Sequence, residues 1–209
     1  MKTYLDSIRK PYKDIKLSKK IINSLLILAL GIILGIFSKW LDNMTIVDTI
    51  WWQQIIDLGN FFSEFGIWIF LAVVIAVFSK TPLRASLNVF LFFTGMTISY
   101  HLYTILFCGF NPKSYMMIWY GITLLTPILA FICWYAKGNG KISLIICAGI
   151  LSVMMLFSFG IGIWYFDIKS IIDTILFIGT VLVLYNNPKK SMYSLIGAII
   201  LAFAFRILV

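Results

Sequence analysis

The chain has 209 residues, of which 61% are hydrophobic and only 12% charged, with mean hydropathy +0.99. A soluble domain carries roughly 25% charged residues, so a water-soluble globule is excluded. The net charge of +9 does not indicate nucleic acid, because the basic residues are not spread over a surface.

Seven of them, Lys2, Arg9, Lys10, Lys13, Lys16, Lys19 and Lys20, crowd the first twenty positions, ahead of IINSLLILALGIILGIFS. A basic segment against an apolar run marks the cytoplasmic side and finds anionic headgroups as its partner. The run is long for a signal-peptide core and ends in Lys39-Trp40-Leu41-Asp42 instead of small residues, which predicts an uncleaved anchor. Within it, Gly31 and Gly35 form GxxxG, a spacing that lets helices approach closely.

In chain order the apolar runs are 21–38, 61–79, 87–108, 115–136, 142–165, 168–185 and 191–209. They predict an all-α integral membrane bundle of seven transmembrane helices: a basic segment 1–20, then one transmembrane domain over 21–209. With the N-terminus cytoplasmic, the inner side also holds Lys80, Arg84, Lys137, Lys141, Lys189 and Lys190. The outer side keeps Lys39, Lys113, Lys169 and Arg206, and this asymmetry places the C-terminus outside. Acidic residues Asp42, Asp48, Asp57, Glu64, Asp167 and Asp173 fall near the outer face. The loop stretch MTIVDTIWWQQIIDLG spaces its apolar residues helically, predicting a short interfacial amphipathic helix near 45–58.

Thr81-Pro82, Asn111-Pro112 and Asn187-Pro188 read as helix starts, and Gly138-Asn139-Gly140 as a stop. Pro127 lies inside the fourth run, where it removes a backbone donor and leaves a carbonyl free. Cys108, Cys133 and Cys147 lie within spans at no metal-binding spacing.

The third run contains the chain's one histidine, His101. Thr94, Thr97, Thr104 and Cys108 share its helix face, so the imidazole belongs to a polar stripe turned toward neighbouring helices. A structural reading gives His101 one interhelical hydrogen bond of about 1 kcal/mol. A functional one makes it part of a ligand or proton path. Asp173, Glu64, Trp119 and Tyr120 lie at comparable depth, and Trp164 and Tyr165 close the fifth run as an interfacial belt.

A single histidine rules out HExxH and multi-histidine metal sites, and no catalytic motif, phosphate loop or cofactor signature occurs. The stretches FGIWIFLAVVIAVFSKTPLRASLNV and MIWYGITLLTPILAFICWYAKGNGKIS resemble uncharacterised bacterial membrane proteins of about 200 residues. That resemblance implies architecture alone. A weaker similarity is to the substrate-capture subunits of energy-coupling-factor vitamin transporters. They have six spans where this chain reads as seven, and they bind ligands near the outer face. The Ile-, Lys- and Asn-rich vocabulary suggests an AT-rich bacterial genome, and the expected location is a bacterial inner membrane.

The leading expectation is a small-solute binding or transport module with an outward-facing cavity for a polar or aromatic solute. Its ligand-binding residues would be His101, Asp173, Glu64, Trp119, Tyr120, Thr97 and Thr104, with Gly31, Gly35 and Pro127 shaping helix packing. The rival is an accessory subunit that docks a membrane partner through the Gly31 and Gly35 face. A membrane-embedded enzyme is third.

Overall fold

The computed structural model describes residues 2–12, 16–44, 58–162 and 164–208. Its described residues form nine α-helices: α1 (Lys2–Ile8), α2 (Leu17–Asp42), α3 (Leu58–Ser63), α4 (Phe65–Phe78), α5 (Pro82–Cys108), α6 (Lys113–Trp134), α7 (Gly140–Ser158), α8 (Ile171–Leu184) and α9 (Pro188–Leu208). A 3₁₀ turn, Tyr135–Lys137, extends α6, and two short strands, β1 (Phe159–Ile161) and β2 (Phe166–Ile168), follow α7.

Helices α2, α5, α6 with its 3₁₀ turn, α7 and α9 are long and apolar enough to cross a membrane. Helices α4 and α8 have 14 residues each, about 21 Å at 1.5 Å per residue against a hydrocarbon core of roughly 30 Å. The chain is therefore a multi-pass helical protein suited to lipid. The amphipathic helix expected near 45–58 falls on residues 45–57, outside the described ones; Leu58 opens α3.

Backbone packing divides the chain into two compact units. One comprises Met1–Pro11, Glu64–Phe78 and Ile132–Val209; the other comprises Tyr12–Ser63 and Ser79–Phe131.

In the second unit α2 lies against α5 with backbone touching backbone. A Cβ on Gly31 would strike the Phe92 carbonyl and one on Gly35 the Met96 carbonyl, while one on Gly95 would sit 2.7 Å from the Leu28 oxygen. The small-residue stripe of α2 is thus filled by α5. Ser99 Oγ donates to the Ile32 carbonyl at 3.0 Å and fastens the same seam. At the start of α5, Thr81 Oγ1 accepts from the Arg84 amide, with Pro82 at the first helical position. Arg84 reaches Ser24 Oγ (2.9 Å) and the Lys20 carbonyl (2.6 Å); Ser24 donates to Asn88 Oδ1, and Asn88 Nδ2 to Ser79 Oγ.

Pro127 does not leave an open carbonyl. The oxygen it deprives of a partner belongs to Thr123, and Thr126 Oγ1 donates to it at 2.7 Å. The carbonyl of Pro127 itself accepts from Ser86 Oγ at 2.7 Å and ties α6 to α5.

In the first unit an apolar core of Val73, Val77, Ala136, Cys147, Leu151, Leu184 and Ala198 joins α4, α7, α8 and α9. Cations complete the helix ends, where C-terminal carbonyls lack partners and the helix dipole is negative. Arg9 donates to the carbonyls of Val77 (2.9 Å) and Trp134 (2.5 Å) and lies 4.2 Å over the Trp134 ring. Lys190 donates to Ala136 O, Gly138 O and Ser143 Oγ, and Lys169 to Phe157 O at 3.0 Å. Gly138 presses on Ile8, whose carbonyl accepts from the Asn139 amide at 2.7 Å. Part of the basic N-terminal segment is thereby built into the fold.

The fifth apolar run is not helical to its end: α7 stops at Ser158 and an antiparallel hairpin pairs Phe159 with Ile168 and Ile161 with Phe166. Trp164, 95% exposed, and Tyr165 stand at its turn and do not close a span.

Candidate functional site

At one end of the second unit the C-termini of α2 and α5, the connection Gly109–Pro112 and the first turns of α6 bring polar side chains together. Three elements meet there because α5 ends at Gly109, whose φ of 71° suits a residue without Cβ. The chain then returns through Pro112 into α6.

His101, half-buried on α5, uses both ring nitrogens. Nδ1 lies 2.8 Å from Tyr120 Oη on α6, and Nε2 lies 2.9 Å from Asn111 Oδ1 in the connection. With an acceptor oxygen facing it, Nε2 carries the proton; Nδ1 accepts from the Tyr120 hydroxyl. Asn111 spends its side chain on His101 and not on capping α6.

The remainder of the stripe divides by depth. Thr97 shares a hydrogen bond of 3.2 Å with Thr123 of α6, and Thr123 also donates to the Trp119 carbonyl. Thr104 bonds back to the Tyr100 carbonyl on its own helix, and Cys108 Sγ accepts from Asn43 Nδ2. The hydroxyl of Thr94 is buried without a partner among the described residues. Trp119 is buried, its ring 6.4 Å from that of Tyr115, whereas Tyr120 is 36% exposed.

A second group stands at the same end of this unit. Asp42 accepts from Tyr100 Oη at 2.6 Å and from Ser63 Oγ at 3.2 Å, with Lys39 Nζ 3.9 Å away. Lys39 also faces the rings of Tyr100 and Phe110, at 5.4 and 5.8 Å from their centroids.

Of the residues expected to bind ligand, His101 and Tyr120 touch directly, and Thr97 and Trp119 join through Thr123. Thr104 lies on the same helix without reaching the others. Glu64 and Asp173 belong to the first unit. Asp173 there forms a reciprocal cap with Ser170: its amide donates to Ser170 Oγ, which donates to Asp173 Oδ2 at 2.7 Å. Glu64 lies within Coulombic reach of Asp173 and Lys169.

In the sequence Asn111 stands out only as a helix start and Lys39 and Asp42 only as boundary charges, while Asn88, 2% exposed within α5, does not stand out. An asparagine inside an apolar run was a usable signal; the pairing of Asn111 with His101 was not, since it depends on how the connection folds.

Comparison with protein-family models, with curated proteins and with solved structures finds no match for this chain.

Proposed function

We propose that this protein is a seven-span module of a bacterial inner membrane that binds or transports a small polar or aromatic solute. Binding takes place at the His101 end of the second unit, which faces outside. The observation that carries the reading is the His101–Tyr120–Asn111 group: a partly exposed imidazole whose two hydrogen bonds come from different elements and can be exchanged for bonds to a ligand. A histidine needed for packing alone has no reason to sit beside a phenol that is 36% exposed.

Orientation draws support from which segments meet within each unit. The N-terminal segment and the 138 and 186–190 turns, assigned to the cytoplasm by their lysines and arginines, bond to one another through Ile8, Gly138, Asn186 and Lys190. In the second unit Tyr12 bonds to Lys80 and Arg84 to Lys20. Asp42, Asn43, Ser63, Cys108 and Asn111 gather at the ends assigned to the outside.

No catalytic motif in the sequence accompanies the His101–Tyr120 contact, and binding without catalysis is the reading adopted. Docking of a membrane partner through Gly31 and Gly35 loses its basis, because α5 occupies that face.

A ligand-stabilisation screen on purified protein tests the proposal. A solute that raises the unfolding midpoint should do so no longer in His101→Ala and more weakly in Tyr120→Phe. Unchanged stabilisation in His101→Ala would remove this residue, and the site with it.

A further inference from the structure

A hydroxyl buried inside a helix can turn back to the carbonyl four residues earlier. Thr104, Thr123 and Thr180 all do so. Ser194 of α9 does not: it is 2% exposed, and its Oγ has no hydrogen-bond partner among the described residues. An unpaired buried hydroxyl is costly, so what it faces decides how that cost is met. Ser194 lines a cavity in the first unit, together with Cys147 and Leu151 of α7, Val181 and Leu184 of α8, and Lys190 and Ser191 of α9. The cavity leaves about 10 Å³ for the centre of a water-sized sphere, room for one water molecule.

The lining decides what enters. Lys190 has already given its three N–H groups, to Ala136 O at 2.7 Å, Gly138 O at 3.0 Å and Ser143 Oγ at 2.6 Å. An anion therefore finds no donor left on the ammonium, and a cation meets its charge. Leu151, Val181 and Leu184 offer nothing polar. What fits is a small neutral molecule that both donates and accepts. Cys147 directs its S–H to the Ala136 carbonyl at 3.1 Å, which leaves the sulfur as a weak acceptor.

We propose that this cavity binds a single water, which accepts from Ser194 Oγ and donates to the Cys147 sulfur, with Ser191 beside it as a third partner. A buried water makes about three hydrogen bonds. This one carries the polar group around Lys190 one turn further along α9, into a core otherwise built from Val73, Val77, Leu151, Leu184 and Ala198. It also sets solvent against a thiol that is 2% exposed. The site lies in the first unit and uses none of the residues at the His101 end, so it stands apart from the solute-binding proposal.

Hydroxyl-radical footprinting by X-ray radiolysis of the full chain in detergent reads the site, because radicals formed from a bound water mark the side chains that touch it. Leu151 lines the cavity and is 2% exposed; Leu176, 7% exposed, does not line it. Exposure alone would mark Leu176 faster, whereas a water in the cavity marks Leu151 several-fold faster than Leu176. Ser194→Ala takes away the hydroxyl and keeps the space; Ser194→Val fills the space with a methyl group. Both should bring Leu151 down to the rate of Leu176 or below, with unfolding midpoints showing that the variants are folded. If the valine variant does not fold, the alanine variant decides alone. Marking of Leu151 no faster than Leu176 in the wild type, or undiminished in Ser194→Ala, overturns the inference.

Discussion

Substituting Gly95 by alanine probes the seam that holds the second unit together. The new methyl would lie 2.7 Å from the Leu28 carbonyl oxygen and 3.1 and 3.2 Å from side-chain atoms of Leu28 and Ile32. Ordinary contact begins at 3.4 Å, so α2 and α5 must separate by about 0.7 Å, since a helical carbonyl cannot swing aside alone. Overpacking of this kind costs about 1–3 kcal/mol. Replacing glycine inside a helix returns about 1 kcal/mol, which would hide part of the effect. Gly121→Ala supplies the reference: Gly121 is also helical, in α6, and has nothing within 4 Å of a built Cβ. The difference between the two variants in reversible unfolding in mixed micelles isolates the clash. Gly95→Ala should be about 1–3 kcal/mol less stable than Gly121→Ala. Equal stability, or Gly95→Ala the more stable, would show that α2 and α5 do not meet backbone to backbone.

Thr126→Val should leave the Thr123 carbonyl unpaired and destabilise by about 1–3 kcal/mol; in a Pro127→Ala background, where the backbone donor returns, the same change should cost much less, and a double-mutant cycle reads the coupling. Arg9→Ala removes two carbonyl contacts and the stacking on Trp134, so unfolding measurements should show a loss of about 1.5–3 kcal/mol; Arg9→Lys, lacking the planar fork, should recover only part of it. Ser170→Ala breaks the reciprocal cap on Asp173 and should cost about 1 kcal/mol in the same assay, with no effect on solute binding if Asp173 is structural.

Much of the helical layout was legible because lipid imposes a simple requirement: long apolar runs, ended by residues that stop helices. Thr81-Pro82 and Pro188 open α5 and α9, at the edges their side chains announce. Where an apolar run could serve either helix or strand, the pattern had no power. The fifth apolar run continues through FGIGIWY to residue 165, and only the pairing of β1 with β2 shows that α7 ends at Ser158. The candidate site was half legible. His101 drew notice as an imidazole among apolar residues, and Tyr120 lay at the right depth. Asn111 looked like a cap, because Asn-Pro is the usual helix-start pair, and its turn toward His101 is a tertiary choice. Lys39 and Asp42 read as boundary charges, since the rings that Lys39 faces, Tyr100 and Phe110, come from α5 and the connection after it, far along the chain. Asp173 drew a functional expectation because a carboxylate in a span is costly; Ser170, three residues earlier, meets part of that cost locally.

A cysteine-labelling map of topology is the most direct measurement of the central claim, that the His101 end faces outside. In a variant freed of its native cysteines, single cysteines at Asn43 and Lys113 should react with a membrane-impermeant maleimide on intact cells. Cysteines at Asn139 and Asn187 should react only after the membrane is opened. The opposite pattern would turn the His101 end toward the cytoplasm and contradict the proposal that it takes solute from outside.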